Sequence, residues 1–429
     1  MEGMSKFQLV SLFVFGFFIV VGVAIFALGG LSEEANVSAA TVWGTMDSKV
    51  FEGALASAGL YQDKSVSITY LQKNPATFDQ ELLEALALGT GPDIFFLTNE
   101  SVIKHRAKIL TIPYENYPAR DFLDNFIEAG EVFLTTDGVL ALPFSVDPMV
   151  MYWNRDLFTN VGLASPPRSW SGFYDLSILI TKKDSNLNVT VSSAPLGEFA
   201  NISHAFDIVS LLFMQAGSPI VRTGSTDGLL RSAINEPPLA AERGLSFFTE
   251  FANPLKAYYS WNRSLPLSKN FFLSGGLATY FGFASELADL RLKNPNLNFD
   301  VAAIPQTTGA ARVTTIADIT GLAISKNSLN VADAYNVATL LTSQQMIDAF
   351  SKATNLPPVR RDSLAVKPNQ PYLSVFYDAA VQSKSWLVPD AAKTPAIFKE
   401  MVESVTGGRD TVSEAVARAN DLVGLQISQ

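Results

Sequence analysis

The sequence predicts an α/β chain folded in two lobes, and three observations carry that expectation. The chain has 429 residues and a hydrophobic fraction of 48%, too long for one simple core and apolar enough to pack two. Between residues 41 and 97, apolar runs and amphipathic stretches succeed one another as strand, helix, strand, helix, strand, the pattern of a parallel doubly wound sheet. Finally, Leu142–Phe158 passes from a loop with prolines through an apolar strand into a turn. The chain before this stretch reads as one α/β unit and the chain after it as a second. It is expected to cross between two lobes, with a ligand held where they meet.

In chain order, Thr41–Gly44 reads as the end of a first buried strand. Asp47–Leu60 has helical spacing through Val50, Phe51 and Leu55 and stops at Gly59. Ser65–Tyr70 alternates as a second strand, Phe78–Leu88 is an amphipathic helix closed by Gly89, and Gly91–Leu97 is a third strand. Ligands of such sheets bind beyond the carboxyl ends of the strands, so Trp43–Asp47 and Thr98–Glu100 are expected to line a mouth. Arg120–Glu131 reads as a helix and Thr136–Phe144 as a turn with a strand. After the crossing, a serine cap precedes a helix carrying Phe173, Leu176 and Leu179. Further helices are read over Phe206–Met214, Leu239–Asn253, Ala332–Leu341, Gln344–Ala353 and Thr411–Val423. Phe271–Phe283 reads as a helix end, a glycine turn and a strand, and short strands come after it at Asp300–Pro305 and Gly321–Ser325. No internal repeat or low-complexity segment is present.

The net charge of −10, with no basic stripe, argues against a nucleic-acid partner. Cysteine is absent, which excludes disulfides, thiolate nucleophiles and cysteine-ligated metals. The histidines are His105 and His204, neither in a recognisable metal or triad motif, so no cofactor, metal site or catalytic residue is expected. Leu9–Gly29 is uncharged and matches the length of about 20 residues that a helix needs to span a bilayer. It exceeds the roughly 7–15 apolar residues of a secretory signal. Residues 1–30 are therefore read as a membrane-spanning signal-anchor and 31–40 as a linker, with the body on the extracytoplasmic side. Cleavage beside Ala24, Ala27 and Gly29, releasing the body, is the alternative.

Several segments then fall in one order: Thr41-Val-Trp-Gly, Gly91-Pro-Asp-Ile-Phe-Phe, the crossing from Pro143 to Phe158 with Trp153-Asn154, and Pro166–Phe173 with Ser169-Trp170. They continue with Phe272-Leu-Ser-Gly-Gly-Leu-Ala-Thr, Ile324-Ser-Lys-Asn-Ser with Ala332–Gln345 after it, and Gly407-Gly-Arg-Asp-Thr-Val-Ser-Glu-Ala-Val. From about residue 40 onward this succession resembles the sugar-type extracellular solute-binding proteins of ABC importers, the maltose-binding-like family. Gly276 stands where that pattern has lysine and Thr279 where it has methionine, and Lys182–Asn262 matches little of it. The resemblance implies a two-lobed periplasmic-binding-protein-like fold with doubly wound sheets, several interlobe crossings and hinge closure on a ligand. By position, the crossings would fall near Pro143–Ser145, Tyr280–Phe283 and Asp318–Gly321. One lobe would comprise 41–143 and 283–319, the other 144–282 and 320–429. The implied function is capture of a sugar or oligosaccharide and its delivery to the membrane subunits of an ABC permease, without catalysis. A sensing receptor without transport is one alternative. A glycoside hydrolase pairing Asp147 with Glu100, Glu286 or Asp318 is another.

Sugar clefts offer aromatic faces to C–H surfaces and carboxylates or amides to hydroxyls, because a buried hydroxyl left unpaired is costly. Ligand contacts are accordingly expected from Trp43, Asn99, Asp147, His204, Trp261, Phe283, Asp318 and Trp386. Asp147 resembles the acidic contact of the family, Trp386 its C-terminal stacking aromatic, and His204 lies near another aromatic contact. Trp43 either faces the cleft or plugs the core. Trp153 and Trp170 are assigned to packing.

Overall fold

The computed structural model describes residues 37–224 and 228–427. The apolar run at 9–29, expected to form an anchor, lies outside them. Among the described residues no helix is long and apolar enough to cross a membrane.

The main sheet contains β1 (Ser38–Gly44), β2 (Val66–Gln72), β3 (Ile94–Thr98), β4 (Leu142–Asn154), β5 (Thr279–Phe283), β6 (Phe299–Ala302), β7 (Thr315–Ile324) and β8 (Ser383–Lys384). Its order is β5–β4–β7–β3–β1–β2, with β6 also on β4 and β8 on β7. The expected strand–helix alternation gives parallel pairing of β1 with β2 and with β3. The pairings of β3 with β7, and of β4 with β5, β6 and β7, are antiparallel. Local signals act as anticipated at several ends. Asp47 caps the helix Ser48–Ser57 by accepting from the amides of Lys49 and Val50, and Gly89 ends Phe78–Leu88 in the left-handed conformation at φ 70°.

Two hydrophobic cores lie along this sheet. Val42, Phe51, Phe95, Phe144, Leu322 and Phe350 belong to the first, and Tyr152, Phe173, Phe213, Trp261, Phe281 and Val423 to the second. Strand β4 passes between them, placing Phe144 and Val146 in the first core and Met149 to Trp153 in the second. Strand β7 returns, with Ile316 in the second core and Ala317 and Ile319 in the first. The two crossings lie side by side, Asp147 opposite Asp318 and Pro148 opposite Ala317. A third connection runs through the helix Pro371–Val381, which gives Phe376 to the second core and Ala380 to the first.

This partition differs from the expected one. No crossing occurs at Tyr280–Phe283, because β5 pairs along its whole length with Met149–Trp153 and is buried throughout. Beyond it, Leu287, Leu290, Val301 and Ile304 also enter the second core. The stretch 283–316 therefore packs with the second lobe, and 317–364 with the first. Two local expectations also change. The helix read over Arg120–Glu131 stops at Asn125, since Phe126 turns extended to bridge Arg360, and resumes as a 3₁₀ turn at Glu128–Phe133. In Gly172–Ile180 the buried stripe is Phe173, Leu176, Ser177 and Ile180, which leaves Leu179 exposed.

Candidate functional site

The carboxyl ends of β1 and β3 open onto a cavity of about 840 Å³ between the lobes. Thr45, Met46, Phe96 and Thr98 line it from the first lobe, and Pro389, Lys393 and Gln426 from the second. Glu100 joins it to a cavity of about 650 Å³ at the crossings. There Asp147 and Asp318 meet His204, Asp207, Lys269, Tyr280, Phe283, Ser285 and Glu286. The mouth expected beyond the strand ends is thus present, through Thr45, Met46, Thr98 and Glu100.

On the second-lobe side everything converges on Glu286, in the first turn of the helix Glu286–Lys293. One carboxylate oxygen contacts His204 Nε2 at 2.7 Å and accepts the amide of Phe283 at 3.0 Å. The other accepts from the Tyr280 hydroxyl at 2.8 Å and lies 2.7 Å from Lys269 Nζ, which also holds Asp289 at 2.8 Å. Burial raises the Glu286 carboxyl, but the bonds and charges of His204 and Lys269 outweigh it and hold the group down at about 2. The same pairing acts in reverse on His204. Burial lowers its imidazolium, yet Asp207 and Glu286 raise it to about 9, so the ring is charged at neutral pH. His204 sits in the left-handed conformation at φ 59° directly before the helix Ala205–Gln215. Gly282 makes room for this cluster: a Cβ there would stand 2.6 Å from the Tyr280 ring and 2.8 Å from the Glu286 carboxylate.

The adjoining wall is acidic and sparsely partnered. Asp147 accepts from the amide of Ser285 at 3.0 Å and from its hydroxyl, but burial outweighs both and pushes its carboxyl up to about 6. Asp318 is an exposed position of β7 that lines the cavity, with protein close around its carboxyl. That crowding, with the charges of Asp207, Asp147 and Glu100, raises it well above the ordinary carboxylate range. Glu100 is raised by burial and by Asp207.

Four of the eight expected contact residues, Asp147, His204, Phe283 and Asp318, come together in the crossing cavity. The other four do not join them. Trp43 is 8% exposed and packs in the first core with Lys73 Nζ 3.7 Å above its ring. Asn99 is buried and its amide is spent internally, donating to the Trp386 carbonyl and accepting from the amide of Ile319, both at 3.3 Å. Trp261 is fully buried, its indole N–H donating to Asn201 at 3.0 Å, and offers no face to a solute. Trp386 stacks on Phe398 and borders a separate cavity of about 390 Å³ with Met214, Glu131 and Lys384. Trp153 and Trp170 are core residues, as expected. Sequence reasoning missed Asp207 and Lys269. Asp207 lies three residues after His204 at a helix start, a spacing that brings side chains together. Lys269 has no local signal of its role.

A sequence model described as bacterial extracellular solute-binding protein matches residues 59–395. The chain belongs to that family. A Brucella abortus protein named simply as a binding protein is 23% identical over 325 residues, 74% of this chain and 73% of its own. Solved structures of this fold cover 91% of the chain. A cyclo/maltodextrin-binding protein complexed with maltotetraose and the sugar-binding protein MalE of Xanthomonas citri each give a TM-score of 0.73, at 17% and 16% identity, with 97% of their own chains covered. A Thermotoga lettingae ABC transporter solute-binding protein bound to α-D-tagatose gives 0.66 at 17% identity, with 99% covered. At such identities the likeness establishes the two-lobed fold.

Proposed function

We propose that this solute-binding protein captures a sugar or oligosaccharide in the interlobe cleft, closes its lobes around it by hinge motion, and delivers it to an ABC permease. The observation that carries the reading is the cavity at the crossings, where Glu100 and Asp318 from one lobe face His204, Tyr280 and Phe283 from the other. A ligand there touches both lobes at once, which is what closure requires. Structural neighbours complexed with maltotetraose and with tagatose support carbohydrate as the class. Within this reading, residues 9–29 hold the body to the outer face of the membrane, and Asp147, His204, Phe283 and Asp318 contact the solute.

A thermal-shift screen tests it. A ligand bound only by the folded state stabilises by RT ln(1 + [L]/Kd), so saturating sugars should raise the midpoint. A panel of mono- and oligosaccharides that leaves it unmoved, while peptides or phosphate compounds raise it, refutes the carbohydrate class. Glycoside hydrolysis is a competing reading that draws on the raised carboxyl of Asp147 beside Asp318. Incubation with glycans is expected to give no cleavage products. Membrane fractionation of cells tests the anchor, with the body expected in the membrane pellet.

A further inference from the structure

The crossing cavity holds more carboxyl groups than its own cations can answer. Five of its side chains are carboxylates, while its cations are Lys269 and His204. Both cations are drawn to Glu286 at 2.7 Å, and Lys269 is shared further with Asp289. What remains for Asp207 is a 3.7 Å contact with His204. Asp147 has only the amide and hydroxyl of Ser285, and neither Glu100 nor Asp318 accepts a hydrogen bond from a described side chain or backbone group.

The backbone register adds an independent constraint. Asp147 and Asp318 stand directly opposite each other across the β4–β7 ladder. Opposite residues of an antiparallel pair point to the same face, and like charges placed there destabilise it. The cost falls at the junction of the two lobes, on the floor of the cleft. A neutral hydroxyl donates one hydrogen bond to such a pair but leaves the charge uncompensated. A protonated amine brings three donors and the missing positive charge, and charge-assisted hydrogen bonds are the strong ones. A bare metal ion is not what the donors are arranged for: among the described residues no group of three or more His, Asp or Glu side chains is placed to hold one.

We infer that the solute of this cleft carries a protonated amine, with Asp147 and Asp318 as its principal counter-charges and Glu100 and Asp207 as the outer ones. The inference rests on the reading of the cleft as the solute site and narrows the class within it to amino sugars or other amine-bearing solutes. Phe283, buried beside them in the same cavity, gives the ligand's C–H surface an aromatic neighbour.

The test is calorimetric titration of the full chain in detergent with four probes: a glucosamine trimer, its N-acetylated counterpart, maltotriose and spermidine. The amine-bearing trimer should bind at least about tenfold more tightly than the N-acetylated one, since acetylation removes a charged hydrogen bond. Its affinity should fall with added salt. It should also fall as pH drops from 7 to 5, because Asp147 takes up its proton near 6 while His204 and Lys269 stay charged and Glu286 stays ionised. Asp147→Asn and Asp318→Asn should each weaken the amine by about tenfold or more while the ligand-free midpoint holds or rises, which shows the variants are folded. If maltotriose or the N-acetylated trimer binds as tightly as the amine, the charge assignment falls and the carbohydrate reading stands. If spermidine alone binds, the charge assignment stands and the carbohydrate reading falls. If no amine binds, the inference is overturned.

Discussion

Two adjoining walls of the crossing cavity handle the same chemical group in opposite ways. On the wall of Glu286 a carboxylate is surrounded by donors and cations from His204, Lys269, Tyr280 and the Phe283 amide, and its proton is lost near pH 2. On the wall of Asp147 and Asp318 burial prevails, joined for Asp147 by the charge of Glu286 and for Asp318 by those of Asp207, Asp147 and Glu100, and Asp147 holds its proton to about 6. Burial acts on both walls in the same direction. What separates them is how much compensating charge is built into the fold, which is ample around Glu286 and sparse around Asp147 and Asp318.

The largest test of this contrast is Glu286→Gln. It leaves His204 and Lys269 without their common anion, and breaking a largely buried pair in this way should destabilise the fold by about 3 kcal/mol, read in denaturant melts. An unchanged midpoint would make this wall as dispensable as the other. Next is Gly282→Ala, whose new methyl would push into the Tyr280 ring and the Glu286 carboxylate. A loss of about 2 kcal/mol is expected, with the alkaline titration of His204 shifted toward its ordinary range by NMR.

The pH dependence of stability should show both walls with opposite signs. Glu286 titrates below its ordinary value of 4.5, so its contribution is present above that pH and is lost as pH falls toward 2. His204 titrates above its ordinary 6.5, so its contribution is whole below that pH and is lost as pH rises toward 9. Asp147 is the reverse of Glu286: its folded value exceeds the ordinary 3.8, so it subtracts stability as pH rises from 3.8 to 6. Asp147→Asn should remove that descent and stabilise the ligand-free protein at pH 7 by on the order of 1 kcal/mol, after allowance for solvent in the open cleft. The smallest effect is expected from Asp318→Asn, a gain of a few tenths to about 1 kcal/mol from relieving the cross-strand repulsion. A loss of stability in either Asn variant would place these acids in the architecture instead.

The features legible in the sequence were those with local causes. Asp47 before an apolar period, Gly89 after one, and the alternation of β1 to β3 each announce an element through neighbours a few residues away. That Leu142–Phe158 crosses was also legible, because a strand with prolines and one acid is unusual wherever it occurs, but the passage falls between Val146 and Met149 and not at Pro143–Ser145 as expected. The partner crossing was harder. Gly321–Ser325 reads as a short strand, whereas β7 begins at Thr315 and its first residues cross between the cores, a fact set by pairing with β4 and β8. The Glu286 cluster was illegible for the same reason, since His204 and Lys269 come to it from other helices. The tryptophans misled in a consistent way. An aromatic in a polar loop looks available for stacking, but Trp261 finds its polar partner in Asn201 and buries the rest of its ring.

The crossings at Asp147–Pro148 and Ile316–Ala317 are adjacent strands of one ladder. Two hydrogen-bonded strands form a flat strap, and a strap flexes across its thin dimension far more easily than it shears in its own plane. In the proposed closure such a strap, with the third connection at Pro371–Val381 beside it, would favour rotation of the lobes over sliding. Asp147 and Asp318 ride on the strap, where displacement during that rotation would be least. In the proposed closure the carboxylate pair would keep its spacing, and the change in surroundings would fall on groups farther from the strap, such as Lys393 and Gln426 of the larger cavity.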